Sequence, residues 1–536
     1  MCQCRRRGSA SSRGSDSSRA AERHGCSTPG AGSPLERKGG APRAPVPGAT
    51  RAPGLMILHI FTATEGHDLR RRMSPKAPKP RSLGQEMASA DLGDRRLSQR
   101  LKQLVTAVAR APADSFPELA SSDAELEGMY RFMSNEAVGW KKVLEPHLAA
   151  TVERAQSSAR TLLVIQDSSD FYFSGEALRE GLGHMPQGQG FIGHFALAVA
   201  CDGTERSPLG LLGVETIFRR GPATPKPKHE RESARWPRMV DEIQTRVGKL
   251  RPIHVMDREA DDYSLLAKLT AEAGRFIIRI NEGRVLEHEG RPPSSETPHL
   301  NEALQVLEGT VLRTVVLSRR VAKNKKNARS HASRDRREAN LSVRALQVRV
   351  QKPYNVKHET KALTLNVVQV FEPSPPEDAE PICWTLATSE PISTLAEVTA
   401  VVDWYCARWL VEEFFKALKT GCAFEKRQLE TAHSLLNALA VLAPVAWRLL
   451  VLRSLSRERP ETPASTVFSE DELKLLRVMS KRVKLSNEPS VDEALRAIAG
   501  LGGHLKNNGP PGWMVIGRGY DKFLAYFAGW TAAREM

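Results

Sequence analysis

The sequence predicts an α/β protein whose sheet-forming part lies between two helical regions. Short apolar runs alternate with helical segments between residues 161 and 280, and a β-rich stretch without a convincing helix follows from about 285 to 395. Apolar residues recur at helical spacing before residue 150 and again from Leu395 to the end. Strands interleaved with helices are typical of an α/β fold. A chain of 536 residues is also too long for one hydrophobic core, so several domains are expected.

The charge of the chain predicts a polyanionic partner. The formal net charge is +16 at pH 7, and such a field attracts nucleic acid first and an acidic membrane surface second. The longest apolar stretch, 435–452, is interrupted by Asn437, Pro444 and Arg448, so no membrane-spanning helix is expected. Seven scattered cysteines favour a reducing, cytoplasmic compartment and argue against a disulfide framework.

Residues 1–86 are predicted to form a disordered basic tail. The segment is rich in Arg, Ser, Gly, Pro and Ala and has almost no periodic apolar residues, so it cannot bury enough surface to offset chain entropy. A basic arm that touches DNA and a dispensable extension, translated from upstream of the true start, both suit this composition. The dispensable extension is the favoured interpretation.

A helical domain is expected from residue 87 to residue 150. The run Arg95–Arg110 carries Leu and Val at helical spacing, and Asp94 is placed to cap its first turn. A second helix is expected over Ala124–Phe132. The first helix has a basic face, which suits either DNA phosphates or plain solvent.

Two predicted strands end at an aspartate. The apolar run Leu162–Ile165 is predicted to be a buried strand that ends at Asp167, and Pro252–Met256 a second strand that ends at Asp257. An aspartate at the carboxyl edge of an α/β sheet lies where such sheets bind ligands. Either aspartate alone would be ordinary, since aspartate also caps turns and helices. Together they indicate a candidate site.

A helix predicted over Val401–Lys419 carries a third carboxylate on a polar face. With about 100° of rotation per residue, a sector of roughly 80° holds Tyr405, Arg408, Glu412, Lys416 and Lys419. The apolar residues of the helix fall on the opposite side and would pack on the sheet. A surface helix with ion pairs shows the same pattern, and so does a helix that holds a metal-binding carboxylate beside phosphate-binding cations.

Two features of the β-rich stretch each allow two interpretations. The basic run 319–326 suits a solvated hairpin loop and a DNA-facing loop equally well. Trp384 lies in the short run Ile382–Leu386, where alternation gives it the same face as Ile382 and Leu386. By that pattern alone Trp384 is a core residue.

Several motifs, in a fixed order, resemble a known family. The spacing Tyr405-x2-Arg408-x3-Glu412-x6-Lys419 matches a Y-R-E-K signature, and the sequences IQDSSDF around Asp167 and VMDREADDY around Asp257 are similar to two aspartate-bearing strands. Further matches are ADLGDRRL (90–97), MYRF (129–132), ERESARW (230–236), CWTLATSEP (383–391) and LGGHLKNNGPPGW (501–513). From residue 88 onward the chain thus resembles the insertion-sequence-four family of bacterial DDE transposases, and within it the transposon-five type.

The resemblance implies a domain plan and a metal site. An RNase H-like catalytic domain is expected at 151–425, with residues 285–395 as its β-rich insertion. A helical domain that binds DNA ends is expected at 87–150, and a helical dimerisation domain at 426–536. Asp167, Asp257 and Glu412 would be the DDE triad and would hold two Mg²⁺ ions, which Mn²⁺ could replace.

The remaining matches imply contacts to DNA. Four residues match those that bind the phosphates of the transposon end in this family: Tyr405, Arg408, Lys416 and Lys419. Arg100 and Arg131 match N-terminal contacts to the end sequence. Trp384 matches an aromatic residue that stacks on a flipped-out base, which reverses the core interpretation.

The expected activity is therefore cut-and-paste transposition, with metal-dependent hydrolysis at transposon ends followed by strand transfer. The expected partners are double-stranded end and target DNA and a second copy of the chain, in the bacterial cytoplasm at the nucleoid. One alternative is an RNase H-like nuclease, against which the end-binding and dimerisation matches argue. The other is a domesticated or inactive copy that only binds DNA, against which the intact triad argues.

Overall fold

The computed structural model describes residues 83–535, apart from 176–177, 220–231, 288–297, 318–334, 378, 380, 459, 481–482 and 506–508. The predicted tail up to residue 82 and the basic run 319–326 lie outside the described residues. The boundary predicted at residue 86 is too late, because the helix Leu83–Met87 (α1) begins before it. Leu83, Glu86 and Met87 are buried against later parts of the chain, a long-range contact that local composition cannot register.

Four further helices follow before the first strand: Arg95–Arg110 (α2), Phe116–Leu119 (α3), Asp123–Ser134 (α4) and Trp140–Gln156 (α5). The two helices predicted here are confirmed as α2 and α4. Asp94 caps α2 as expected, since its side chain accepts a hydrogen bond from the backbone N–H of Arg96 at 2.7 Å. The apolar sides of α2 and α4 belong to the main hydrophobic core.

The described residues form a ten-stranded mixed sheet. Its strands are Thr161–Phe173 (β1), Gly183–Met185 (β2), Gly188–Asp202 (β3), Glu205–Ile217 (β4), Ile253–Met256 (β5), Arg275–Arg279 (β6), Thr310–Leu317 (β7), Arg337–Gln351 (β8), Ala362–Phe371 (β9) and Cys383–Thr388 (β10). The strand order is β2-β3-β1-β5-β6-β10-β9-β8-β7, and β4 also pairs with β3. Strands β1, β5 and β6 are parallel neighbours.

The strand that carries Asp167 is longer than predicted. β1 pairs with the antiparallel β3 up to Phe173, so Asp167 lies within the strand opposite Phe195 rather than at its end. Its parallel pairing with β5, however, stops at Gln166 and Met256. Asp167 and Asp257 are therefore the first residues beyond the parallel ladder, even though only β5 ends there.

The β-rich stretch predicted from about 285 to 395 is confirmed as strands, with one exception. β7 to β10 form consecutive antiparallel pairs. A short helix, Leu300–Gln305 (α8), interrupts the stretch that was expected to lack a helix. It has only six residues, starts with a capping box between His299 and Glu302, and is too short to show a periodic pattern.

The helix predicted over Val401–Lys419 is divided into consecutive pieces. Leu395–Cys406 (α9) begins at the capping box of Thr394 and is followed by Trp409–Lys416 (α10) and a π turn. At the junction, Arg408 N–H donates to Tyr405 O at 2.9 Å, and the following residues continue these tighter bonds. The junction thereby sets the direction of the helix that carries Glu412.

Among the described residues, two further helices lie on the face of the sheet away from α10, and four follow α10. The first two are Arg235–Val247 (α6) and Tyr263–Ala271 (α7). The later ones are Ala432–Glu458 (α11), Glu470–Met479 (α12), Val491–Leu501 (α13) and Trp513–Glu535 (α14). α11 is long and apolar enough to cross a membrane, but 89% of its apolar window is buried inside the protein, as in a core helix.

The two faces of the sheet bury separate cores. Along β1, Leu163 and Ile165 point into the main core, which also holds the apolar sides of α2, α4, α10, α11 and α14. Val164 points to the other face, where α6 packs, and a third cluster on that face holds α7 and α8. The face of the main core is the one that meets α10.

Candidate active site

The three candidate carboxylates come from separate elements on one face of the sheet. Asp167 lies in β1 and shares the face of Leu163 and Ile165, because side chains alternate along a strand. Asp257 directly follows β5 and caps a short helical turn. Glu412 lies in the first turn of α10, which packs on that same face.

Arg408 joins two of these carboxylates. Its Nη1 donates to Oδ2 of Asp167 at 2.8 Å, and its Nη2 donates to Oε1 of Glu412. The Arg408 side chain is only 18% exposed, so both ion pairs are partly shielded from solvent. The spacing of four residues placed Arg408 beside Glu412 in the sequence analysis; its bond to Asp167, 241 residues earlier, had no sequence signal.

Asp167 holds its proton far more tightly than an ordinary aspartate. Burial raises its pKa, and the like charge of Asp257 raises it further, so that the pKa lies at about 7 in spite of Arg408. Glu412 adds a smaller effect in the same direction. The site thus concentrates negative charge that the single guanidinium of Arg408 does not neutralise.

The backbone next to each aspartate fixes one of its oxygens. Asp167 Oδ1 accepts a hydrogen bond from the backbone N–H of Ser168 at 2.8 Å. Asp257 Oδ1 accepts one from the backbone N–H of Glu259 at 2.9 Å. The second oxygen of Asp167 accepts from Arg408, so this carboxylate has a defined orientation.

The donor chemistry of the site fits a hard divalent cation. Carboxylate oxygens are the ligands that Mg²⁺ and Mn²⁺ prefer, and burial together with the charge of Asp257 raises the pKa of Asp167. In the present arrangement, no three His, Cys, Asp or Glu side chains among the described residues are gathered closely enough to hold an ion. Arg408 stands between Asp167 and Glu412 and bonds one oxygen of each.

Tyr405 and Trp384 lie together beside this cluster. Their ring centroids are 6.1 Å apart, and Trp384 is partly buried against the main core. Tyr405 is only 7% exposed, so it is less accessible than a polar helix face suggests. Burial raises the pKa of its phenol, while the charge of Arg408 lowers it.

The two lysines of the signature have different surroundings. Lys419 donates from Nζ to the backbone oxygen of Asp170 in β1, close to the aspartate strand. Lys416 donates to Glu413 at 3.1 Å and lies over the ring of Trp409, with Nζ 4.6 Å from its centroid. The structure therefore brings Lys419, but not Lys416, to the strand that carries Asp167.

The N-terminal arginines lie on neighbouring helices, α2 and α4. Arg131 is 76% exposed and pairs with Glu127. Arg100 packs across α4 at Gly128, where a Cβ would come within 2.5 Å of its Nη1. These contacts lie within the α2–α4 pair and do not involve the three carboxylates.

Sequence reasoning missed Arg235, Glu413 and Trp409. Arg235 lies in the matched ERESARW motif, but no role was inferred for it. Glu413 is a buried residue that accepts a hydrogen bond from Trp513 of α14 at 2.9 Å. Trp409 is 52% exposed, and a projection at about 100° per residue would have placed it beside Lys416.

Two family models match the chain. One described as a transposase DNA-binding domain matches residues 82–138, which include α1, α2 and α4. The other, described as a transposase DDE domain, matches residues 163–446, more than half of the chain.

One solved structure with a low similarity is a chain of the piggyBac transposase synaptic complex with hairpin DNA, determined by cryo-EM. It is 12% identical, with a TM-score of 0.31 over 73% of this chain and 70% of that chain, which is too low to bear on the site. The DDE model, by contrast, spans β1, β5 and α10 together. The chain belongs to the transposases with a DDE domain.

Proposed function

We propose that the chain is a cut-and-paste transposase of the insertion-sequence-four family, nearest to the transposon-five type, and that Asp167, Asp257 and Glu412 are its catalytic triad. The observation that carries the proposal is the placement of these three carboxylates, from β1, β5 and α10, on one face of the sheet. There Arg408 bonds Asp167 and Glu412, while burial and the charge of Asp257 raise the pKa of Asp167. The strand order β4-β3-β1-β5-β6, with β1, β5 and β6 parallel, supports an RNase H-like catalytic core.

The triad would hold two divalent ions, Mg²⁺ or Mn²⁺. When bound, such ions supply an activated water nucleophile and neutralise charge on the leaving oxygen of a phosphodiester. The chain's own part is to present three ionised carboxylates. Because the pKa of Asp167 lies at about 7, its ionisation is linked to cation binding near neutral pH.

The guanidinium of Arg408 can exchange a carboxylate partner for a phosphate. It holds Asp167 and Glu412, and the same planar group suits a bidentate phosphate contact. Lys419 and Tyr405 flank it, so the DNA backbone would pass along this face of α10. Trp384, beside Tyr405, would receive the flipped base when a hairpin forms.

The domain plan is proposed with one changed boundary. Helices in residues 83–150 would bind the transposon end through Arg100 and Arg131, and residues 151–425 would form the catalytic domain with the insertion at 285–395. Residues 426–536 would pair two copies of the chain. Truncation is a poor test of pairing, because Trp513 and Phe523 are buried in the main core. Tyr526, 61% exposed on α14, is the better position to change.

The test uses the full chain and a duplex that carries the inverted repeats flanking its gene. With Mg²⁺, we expect strand cleavage at the repeat, then a hairpin. Asp167→Asn, Asp257→Asn and Glu412→Gln should each abolish cleavage and keep DNA binding. Asp202→Asn, a change of an exposed aspartate at the end of β3, is the matched control.

Three results would contradict the proposal. Mg²⁺-dependent cleavage by any of the triad variants removes that residue from the triad. Cleavage of any duplex, without preference for the repeat, points to a nuclease. Binding of the repeat with no cleavage by the unaltered chain points to a protein that only binds DNA.

A further inference from the structure

Arg235, the first residue of α6, uses its whole guanidinium within the protein. Its side chain is 9% exposed. Nε donates to Oγ of Ser168 at 2.9 Å, Nη2 donates to Oε2 of Glu259 at 2.6 Å, and Nη1 donates to the backbone oxygen of Glu232 at 2.7 Å. A nearly buried arginine with every nitrogen engaged is held in one orientation.

Two of these partners adjoin the two aspartates. Ser168 follows Asp167 and donates its backbone N–H to that carboxylate. Glu259 lies two residues after Asp257 and donates its backbone N–H to that one. Arg235 is thus the central link of a continuous hydrogen-bonded path that joins Asp167 to Asp257.

Arg235 acts from the face of the sheet opposite Glu412. The Ser168 side chain points away from that of its neighbour Asp167 and also lies 3.0 Å from Nδ1 of His194. The apolar side of α6 belongs to the clusters of the same far face, which include Trp236 and Met239. Arg235 therefore stays clear of the face where DNA would lie and touches neither aspartate.

The ladder between the two strands makes such a link necessary. β1 and β5 are hydrogen-bonded in parallel only as far as Gln166 and Met256, so the two aspartates lie just beyond the last shared backbone contact. Without a second tie, the turn after β5 could move relative to β1. Carboxylates that share metal ions need a fixed separation, and residues behind a ligand commonly supply it.

We propose that Arg235 is a positioning residue that fixes the separation of Asp167 and Asp257 through Ser168 and Glu259. The inference rests on the proposed function, because the separation matters only if the two aspartates act together on metal ions. Its role is to hold the turns that carry the ligands, without contact to metal or DNA.

The test measures Mn²⁺ binding by the full chain with electron paramagnetic resonance. The melting temperature in EDTA is measured on the same preparations. Arg235→Met should weaken Mn²⁺ binding by about tenfold or more. Arg235→Lys, a point charge that reaches one partner at a time, should give a smaller loss. Arg238→Met is the matched control, since Arg238 lies one turn further along α6 and pairs with Glu215 instead.

Glu259→Gln tests the same link in case Arg235→Met does not fold. Glu259 is 62% exposed, so this change should leave the melting temperature within about two degrees while it also weakens Mn²⁺ binding and raises the Mg²⁺ concentration needed for half-maximal cleavage. Folded Arg235→Met protein that binds Mn²⁺ like the unaltered chain would overturn the proposal. So would wild-type Mn²⁺ affinity in Glu259→Gln together with Arg235→Lys. If the unaltered chain itself binds no Mn²⁺, the proposed metal site fails instead.

Discussion

Arg408 Nη1 lies 2.8 Å from Asp167 Oδ2, which joins the junction before α10 to the middle of β1. The other arm of the same guanidinium bonds Glu412. One cation thus offsets part of the repulsion among three carboxylates on a partly buried face. A metal ion held by the proposed triad would compete with Arg408 for the same oxygens.

The competition predicts how Arg408→Met behaves. Removing the cation leaves the buried charge of Asp167 without its partner, so in EDTA at pH 8 the melting temperature should fall by several degrees. Added Mg²⁺ should raise it more in Arg408→Met than in the unaltered chain, because no arginine has to be displaced. Melting curves with EDTA and with Mg²⁺ measure both shifts, with Arg238→Met as control. Equal Mg²⁺ shifts in the two proteins would show that Arg408 does not compete.

The raised pKa of Asp167 predicts a pH-dependent stability. Burial and then the charge of Asp257 raise the pKa from 3.8 to about 7, so the protonated form favours folding. That contribution is complete below pH 3.8 and is lost as the pH rises through 7. Asp167→Asn, which resembles the protonated form, should therefore gain stability over the unaltered chain from pH 5 to pH 8 in EDTA. Melting temperatures across this range, with Asp202→Asn as control, test it; a pH-independent difference contradicts it.

The sequence predicted the sheet well where burial is periodic and local. Patterns within a few residues predict the strands that lead to Asp167 and Asp257, the strands of the β-rich stretch and the cap at Asp94. The continuation of β1 to Phe173 depends on pairing with β3, and the burial of Leu83–Met87 depends on later helices. Such contacts leave no local pattern in the sequence. The end of β1 and the start of α1 were therefore predicted at the wrong residues.

The same distinction holds for the candidate site. Asp167, Asp257 and Glu412 were predicted as site residues because each lies at a recognisable position of a strand or helix. Arg235 was not assigned a role, because it acts on both aspartates through neighbours and from the other face of the sheet. Helical projection placed Tyr405 on a polar face, but the fold buries it beside Trp384.

Deletion of residues 1–82 should leave transposition within about twofold of the full-length level, because that composition cannot form a core. The deletion keeps α1, unlike one that ends at residue 86. A transposition assay with an element bounded by the flanking repeats, together with a melting curve, measures the effect. A loss beyond about tenfold in a folded protein would show that the basic segment takes part.

Glu86 of α1 forms a buried network with α5. Leu211 N–H donates to Nε2 of His147 at 3.2 Å, so in the neutral ring Nδ1 carries the proton and donates to Glu86 at 2.6 Å. Arg154 Nη1 donates to the other oxygen of Glu86 at 2.8 Å. Burial alone would raise the pKa of Glu86, but these two partners outweigh it and lower the pKa to about 2.

The network predicts the effect of Glu86→Gln. A lowered carboxyl pKa stabilises the fold above pH 4.5, and the contribution is lost as the pH falls toward 2. The substitution should cost about 2 kcal/mol at pH 7, and the cost should shrink between pH 4.5 and pH 3. Urea unfolding at several pH values measures this, with Glu127→Gln, an exposed glutamate of α4, as control. A cost that stays constant down to pH 3 would contradict an ionised Glu86.

Substitution of Trp384 distinguishes a core residue from a base-stacking residue. Trp384 is partly buried in β10 opposite Val370 and lies beside Tyr405 at the edge of the proposed site. Hairpin formation removes one base from the stack, and an aromatic face offsets the loss by about 1–3 kcal/mol. Trp384→Ala should therefore keep initial nicking but lose hairpin formation, and Trp384→Phe should recover part of it. Trp404, another partly buried tryptophan on the same core, is the control for lost packing. If Trp384→Ala melts as low as Trp404→Ala and loses nicking and hairpin formation in parallel, Trp384 serves the core alone.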